Sequence, residues 1–136
     1  TIAQQAEMLF EFRSDEREAL AILEGQFQDI VARHRTQGVE IHLTMVGDRP
    51  CAGDVDPVQM RELMDRASRA VERYYGKPVN FVSGSTDCNI PLSLGIPAVC
   101  VGCCFGDGAH TREEYVEIDS LLPGLKVAFD LILHHF

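Results

Sequence analysis

The sequence of 136 residues predicts an α/β fold built from two pieces. Apolar and polar side chains alternate in two short segments, residues 7–13 and 39–45, which predicts half-buried strands. Apolar residues at spacings of three and four in other segments predict amphipathic helices. A continuous apolar run at 96–102 has the length of a strand that is covered on both faces.

The first piece, residues 1–50, has the order strand, helix, strand. After the strand at 7–13, Ser14 or Asp15 offers an N-cap, and a helix is predicted from there to about Arg35. The apolar face of this helix consists of Leu20, Leu23, Phe27, Ile30 and Val31. The strand at 39–45 follows. Because such a unit leaves a sheet edge unpaired, we expect it to need another segment or another chain.

The second piece, residues 51–136, alternates helices and strands. Asp56 as N-cap and Pro57 at the first helical position predict the start of a long helix. The predicted order is a helix to Tyr75, a short strand at 79–82, a short helix at 87–94, the strand at 96–102 and a last helix at 121–134.

Charge and composition exclude several classes of partner. Twelve basic and twenty-one acidic residues give a net charge of −9, which argues against nucleic acid and anionic membranes as partners. No apolar run reaches the ~18 residues of a membrane span. Five cysteines and no recognisable signal peptide predict free thiols in the cytoplasm. Because the chain begins with Thr1, we expect a fragment or a processed product.

Two loops of small residues carry the candidate chemistry. They are residues 83–89 (SGSTDCN) and 106–111 (GDGAHT). Small residues let the backbone approach a ligand closely, and the second loop presents His110. A histidine after such a turn is either an ordinary loop residue or a metal ligand.

The same region resembles a known family. Residues 85–99 (STDCNIPLSLGIPAV) and 108–116 (GAHTREEYV) resemble the C-terminal signature of the M20 family of zinc-dependent peptidases and amidohydrolases. The resemblance implies that His110 is the last ligand of a site for two zinc ions, with cobalt or manganese as alternatives. The other family ligands are a His-x-Asp, a bridging Asp and a Glu-Glu pair with the general base, which the family supplies from an N-terminal region. This sequence has no His-x-Asp, and its one Glu-Glu, Glu113-Glu114, lies just after His110, where the family has an ordinary acidic turn. We therefore expect the chain alone to be inactive.

The resemblance also implies residues that bind substrate. Arg13 ends a strand of the family's lid domain and is expected to hold a substrate carboxylate, for which a guanidinium fork is suited. Ser85 and Thr86 are expected to contact the substrate from the loop before a short helix. In this interpretation residues 1–50 are the second half of a ferredoxin-like lid (dimerisation) domain, and residues 51–136 are the C-terminal part of a mixed-sheet catalytic domain.

The predicted function is that of a fragment of a metal-dependent hydrolase that cleaves di- or tripeptides. Other possibilities are an N-acyl-amino-acid deacylase or carboxypeptidase of the same family, and a non-catalytic binding or dimerising relative. A small zinc or redox protein based on Cys100, Cys103 and Cys104 is a further alternative. The expected partners are a small peptide or N-acyl amino acid and a second copy in a homodimer.

Overall fold

The computed structural model describes residues 2–36 and 38–134. In this part of the chain it contains four helices and one two-stranded sheet. In chain order the elements are α1 (Arg17–His34), α2 (Pro57–Tyr75), α3 (Asn89–Ser93), β1 (Gly106–Asp107), β2 (Tyr115–Val116) and α4 (Ile118–Leu133). Within the described residues, no helix combines the length and the apolar character needed to cross a membrane.

All four predicted helices are present. The N-cap of α1 is Glu16, without a side-chain capping bond, and not Ser14 or Asp15 as predicted, whereas the predicted cap of α2 is observed. The carboxylate of Asp56 accepts hydrogen bonds from the backbone N–H groups of Val58 and Gln59, at 2.8 and 3.0 Å, and so caps α2. The same helix ends before Gly76, which has a left-handed backbone with φ of 65°. Helix α4 begins at Ile118, slightly earlier than the sequence predicts.

The predicted strands at 7–13, 39–45, 79–82 and 96–102 are wrong for this structure, since no β-ladder includes any of them. A helix satisfies its backbone groups within one segment, whereas a strand needs a neighbouring strand for the same hydrogen bonds. The described residues therefore form a mostly helical structure, without the expected mixed sheet or the ferredoxin-like half-domain at 1–50. Of the β-structure that the α/β prediction implies, the described residues contain only the small β1–β2 sheet.

The tightest packing lies between α2 and α4. Ala67 and Ala70 on α2 are buried, as is Val127 on α4, which has no exposed surface. A Cβ atom at Gly124 would collide with the carbonyl oxygen of Cys103 and the hydroxyl of Tyr75. Small side chains thus allow the two helices and the 101–105 segment to approach closely.

Helix α1 lies in a much looser region. Val31 is its only buried residue. Phe10 and Phe27 stack with ring centroids 5.3 Å apart, which attaches the 7–13 segment to the helix. Many large apolar side chains of the first 50 residues stay exposed, among them Met8, Leu9, Ile22, Ile30, Val39, Met45 and Val46.

Candidate functional site

The β1–β2 hairpin positions His110. Gly106 pairs with Val116, and Asp107 pairs with Tyr115, in antiparallel register. Between the strands, the hydroxyl and the backbone N–H of Thr111 both donate to the carbonyl oxygen of Gly108, at 2.6 and 2.9 Å. The sequence predicted a ligand loop here but not the two strands. The pairing holds the loop closed at its base.

His110 is exposed at the tip of this hairpin. Its φ of 68° lies in the left-handed region, where among the described residues it is the only non-glycine residue. Its backbone N–H donates to the carboxylate of Glu114 at 3.3 Å, and among the described residues the imidazole takes part in no hydrogen bond or ion pair. The loop therefore presents the ring to the surroundings, as a ligand residue requires.

The second loop, residues 83–89, is shaped by its own polar side chains. The backbone N–H of Thr86 donates to the side-chain oxygen of Asn89 at 2.9 Å. The hydroxyl of Thr86 in turn accepts from the backbone N–H of Cys88 at 3.2 Å. Both are local turns of the kind that Ser, Thr and Asn favour. They give the loop a defined shape just before α3.

Three long-range hydrogen bonds connect this loop to earlier parts of the chain. Ser83 donates its hydroxyl to the carboxylate of Asp15 at 2.9 Å. Arg49 Nη1 donates to the hydroxyl oxygen of Ser85 at 3.4 Å, and the side-chain amide of Asn89 donates to the carbonyl oxygen of Pro50 at 3.1 Å. The loop that carries Ser85 and Thr86 is thus joined both to the start of α1 and to the 49–50 segment.

Arg13 forms a two-pronged pair with Glu11 at the protein surface. Its Nε and Nη2 atoms donate to the two carboxylate oxygens at 2.7 and 3.0 Å. The hydrogen bond and charge of Arg13 lower the pKa of Glu11, and the same pair raises the pKa of Arg13. The guanidinium fork is therefore arranged as it would be on a carboxylate ligand, with Glu11 as its present partner.

The structure joins some of the candidate residues and separates others. Ser14 and Asp15, next to Arg13, contact Cys51 and Ser83 respectively. Within residues 2–36 and 38–134, no hydrogen bond or ion pair connects His110 to Arg13, Ser85 or Thr86. The described part of the chain holds no group of three or more His, Cys, Asp or Glu side chains placed to bind a metal ion. Its residues therefore do not fit a metal by themselves.

The cysteines are free thiols. Cys51 is buried, whereas Cys100, Cys103 and Cys104 are exposed. Loss of water contact raises the pKa of Tyr75, and the electrostatic influence of the nearby Cys103 and Cys104 side chains raises it further. The Tyr75 hydroxyl donates to the carbonyl oxygen of Ser120 at 2.9 Å, so this tyrosine connects α2 to α4 just below the hairpin.

Comparison with known families places the chain among the peptidases. The model of Peptidase family M20/M25/M40 matches residues 13–134. The chain belongs to this family of metal-dependent hydrolases, which confirms the resemblance drawn from residues 85–99 and 108–116. No curated protein and no solved structure matches the sequence.

Sequence reasoning missed Arg49 and Asp15 as neighbours of the loop. Arg49 followed a predicted strand and looked like part of a turn, and Asp15 looked like a helix cap. Each meets residues 83–85 only through the tertiary structure, 36 and 68 positions apart in the chain. The one sequence signal for Arg49 was its position after a predicted strand. Arginines in such positions are common on protein surfaces, so the signal did not indicate a binding residue.

Proposed function

We propose that this chain is the substrate-binding part of a metal-dependent hydrolase that cleaves the amide bond of di- or tripeptides. The family match over residues 13–134 carries the proposal, because it includes both candidate loops. N-acyl amino acids are a second substrate class, since they present a carboxylate in a similar position. The proposed domain division is a lid portion at 1–50 and a catalytic portion at 51–136.

The role of this chain's own residues is to hold the substrate. Arg13, Ser85 and Thr86 are proposed to bind its carboxylate. The contacts of Asp15 with Ser83 and of Arg49 with Ser85 support this, because they bring the start of α1 and a cationic side chain to the same loop. A guanidinium and hydroxyls recognise a carboxylate through charge-assisted hydrogen bonds.

His110 is proposed as one metal ligand of a centre that other polypeptide completes. A zinc site needs three or four protein ligands, and of the family's ligand set the resemblance identifies His110 in this chain. Its exposed position at the hairpin tip supports the proposal. Two zinc ions per intact site are proposed, with cobalt or manganese as alternatives, and the chain alone is expected to be inactive.

Zinc titration by calorimetry tests the metal assignment. Weak or absent binding by both the wild-type chain and His110→Ala is the expected result. Tight binding that is lost in His110→Ala would mean that copies of the chain complete a site together. Tight binding retained in the variant would indicate that the cysteines bind the metal, and it would contradict the proposal.

Hydrolysis tests the activity. The protein expressed from its full reading frame is expected to cleave leucylglycine in the presence of zinc. His110→Ala in that protein is expected to lower kcat by about 100-fold, the scale seen when a metal site is disturbed. Full activity in the variant, or no cleavage of any dipeptide or acylated amino acid, would contradict the proposal.

We also propose a homodimer in a reducing compartment. Exposed apolar side chains on the first 50 residues and unpaired extended segments support association, and five free thiols support a cytoplasmic location. Light scattering is expected to give twice the mass of one chain. A stable monomer over a range of concentrations would contradict this part.

A further inference from the structure

We propose that Arg49 binds the substrate carboxylate at the 83–89 loop, together with Ser85. This inference rests on the proposed function, since it assigns one more residue to the same substrate site. Its starting point is the hydrogen bond from Arg49 Nη1 to the hydroxyl oxygen of Ser85, at 3.4 Å. That contact brings a guanidinium to the loop from a segment 36 residues away.

The backbone beside Arg49 is fixed relative to the loop. The carbonyl oxygen of Pro50 accepts from the side-chain amide of Asn89 at 3.1 Å, and the other side of that amide accepts from the backbone N–H of Thr86 at 2.9 Å. Asn89 thus bridges the residue next to Arg49 and the centre of the loop. Cys51 follows, is buried and donates to the carbonyl oxygen of Ser14 at 3.1 Å. Arg49 is therefore held near the loop by more than its own flexible side chain.

Arg49 differs from Arg13 in its electrostatic state. The Arg13 fork is already paired with Glu11 through two hydrogen bonds. Within the described residues, no carboxylate lies at ion-pair distance from the guanidinium of Arg49. A ligand carboxylate can bind Arg49 without first displacing an internal carboxylate, whereas on Arg13 it must compete with Glu11.

Three acidic residues lie in or next to this position. Asp87 belongs to the loop itself, Asp15 accepts a hydrogen bond from Ser83, and Asp48 precedes Arg49 in the chain. Their negative charges disfavour an anionic ligand, so one uncompensated guanidinium is needed for the loop to hold a carboxylate. On this reasoning Arg49 selects ligands with a free carboxylate over the corresponding amides.

The test is a nuclear magnetic resonance titration of the 136-residue chain with leucylglycine and with leucylglycinamide. Changes in the backbone amide chemical shifts of residues 83–89 report binding. In the wild-type chain the free acid is expected to bind more tightly than the amide. Arg49→Gln is expected to weaken binding of the acid about tenfold and to remove the preference for the acid over the amide, which is the scale of one hydrogen bond to a charged group. Arg61→Gln, an exposed arginine on α2, is the matched control and is expected to change nothing.

Two further variants keep the result interpretable. Arg49→Lys retains the charge but loses the fork and is expected to give an intermediate affinity. If Arg49→Gln binds the free acid as tightly as the wild type does while Arg13→Gln binds it more weakly, Arg13 alone holds the carboxylate. The Arg49 inference is then wrong, and the peptidase proposal stands. If the wild-type chain does not distinguish acid from amide, the inference is also wrong, and hydrolysis by the full-length protein still decides the proposed function.

Discussion

The α2–α4 pair and the α1 region have helices of similar length but very different surroundings. Helix α4 meets α2 through Gly124 and the fully buried Val127, and a further bond joins Arg73 to Asp130 at 2.8 Å. Helix α1 buries only Val31, and its Phe27 stacks against Phe10. A similar helical pattern thus gives a packed pair in one region and a largely exposed helix in the other.

The difference shows that a helix can form without its tertiary partner but a core cannot. Backbone hydrogen bonding within a helix is local, so α1 and α2 both form, although only α2 has a side-chain cap. Burial needs a complementary surface, which α4 offers to α2 through its small residues. Stability should therefore be concentrated in the α2–α4 region, and the following variants compare the two regions.

Gly124→Ala is expected to have the largest effect. The added Cβ would meet the backbone carbonyl of Cys103, which cannot move without separating the 101–105 segment from α4. We expect a loss of about 2–3 kcal/mol in the free energy of unfolding, in the range of overpacked sites. Urea denaturation followed by circular dichroism measures it. An unchanged midpoint would show that the helices can separate slightly at no cost.

Asp130→Ala should follow in size. The carboxylate of Asp130 is 9% exposed, accepts a hydrogen bond from Arg73 at 2.8 Å and lies 2.6 Å from Nδ1 of His134. Its removal is expected to cost about 1–2 kcal/mol, because both partner side chains are largely solvated and regain hydrogen bonds to water. Hydrogen exchange in α2 and α4 should report the loss. The exposed Asp29→Ala in α1 is the control, and an equal loss there would remove the distinction between the regions.

Tyr75→Phe is expected to cost about 1 kcal/mol through loss of the hydrogen bond to Ser120. The neighbouring Tyr74→Phe is the matched control. Because the pKa of Tyr75 is raised above 10.0 in the folded chain, its contribution is complete below pH 10.0 and is lost as pH rises through the raised value. An ultraviolet titration should show one tyrosine that ionises late. Ionisation of all tyrosines together would contradict this assignment.

Gly25→Ala should give the smallest effect and the opposite sign. No atom lies within 4 Å of the Cβ position at Gly25, which is inside α1. Alanine is expected to stabilise the helix by about 0.5–1 kcal/mol through its better helix propensity. Thermal unfolding of α1 measures this change. A destabilised variant would reveal a close neighbour of α1 in solution and would weaken the contrast between the regions.

The sequence was sufficient for the helices and for the family. Asp56, Pro57 and Gly76 mark the ends of α2 through local chemistry, and the loops around Ser85 and His110 carry the family signature. The strands failed for a physical reason: alternation predicts an extended segment but cannot provide its hydrogen-bonding neighbour. Arg49 was missed for a related reason, since its contact with Ser85 depends on how distant segments meet.

The left-handed backbone at His110 limits what can replace it. Residues other than Gly, Asn, Asp and His rarely adopt a backbone φ near 68°, and β-branched residues do so least of all. His110→Asn is expected to keep the turn while it removes the imidazole. His110→Val is expected to remove the imidazole and also to disturb the turn. The choice of residue at this position therefore separates the shape of the loop from the presence of the imidazole.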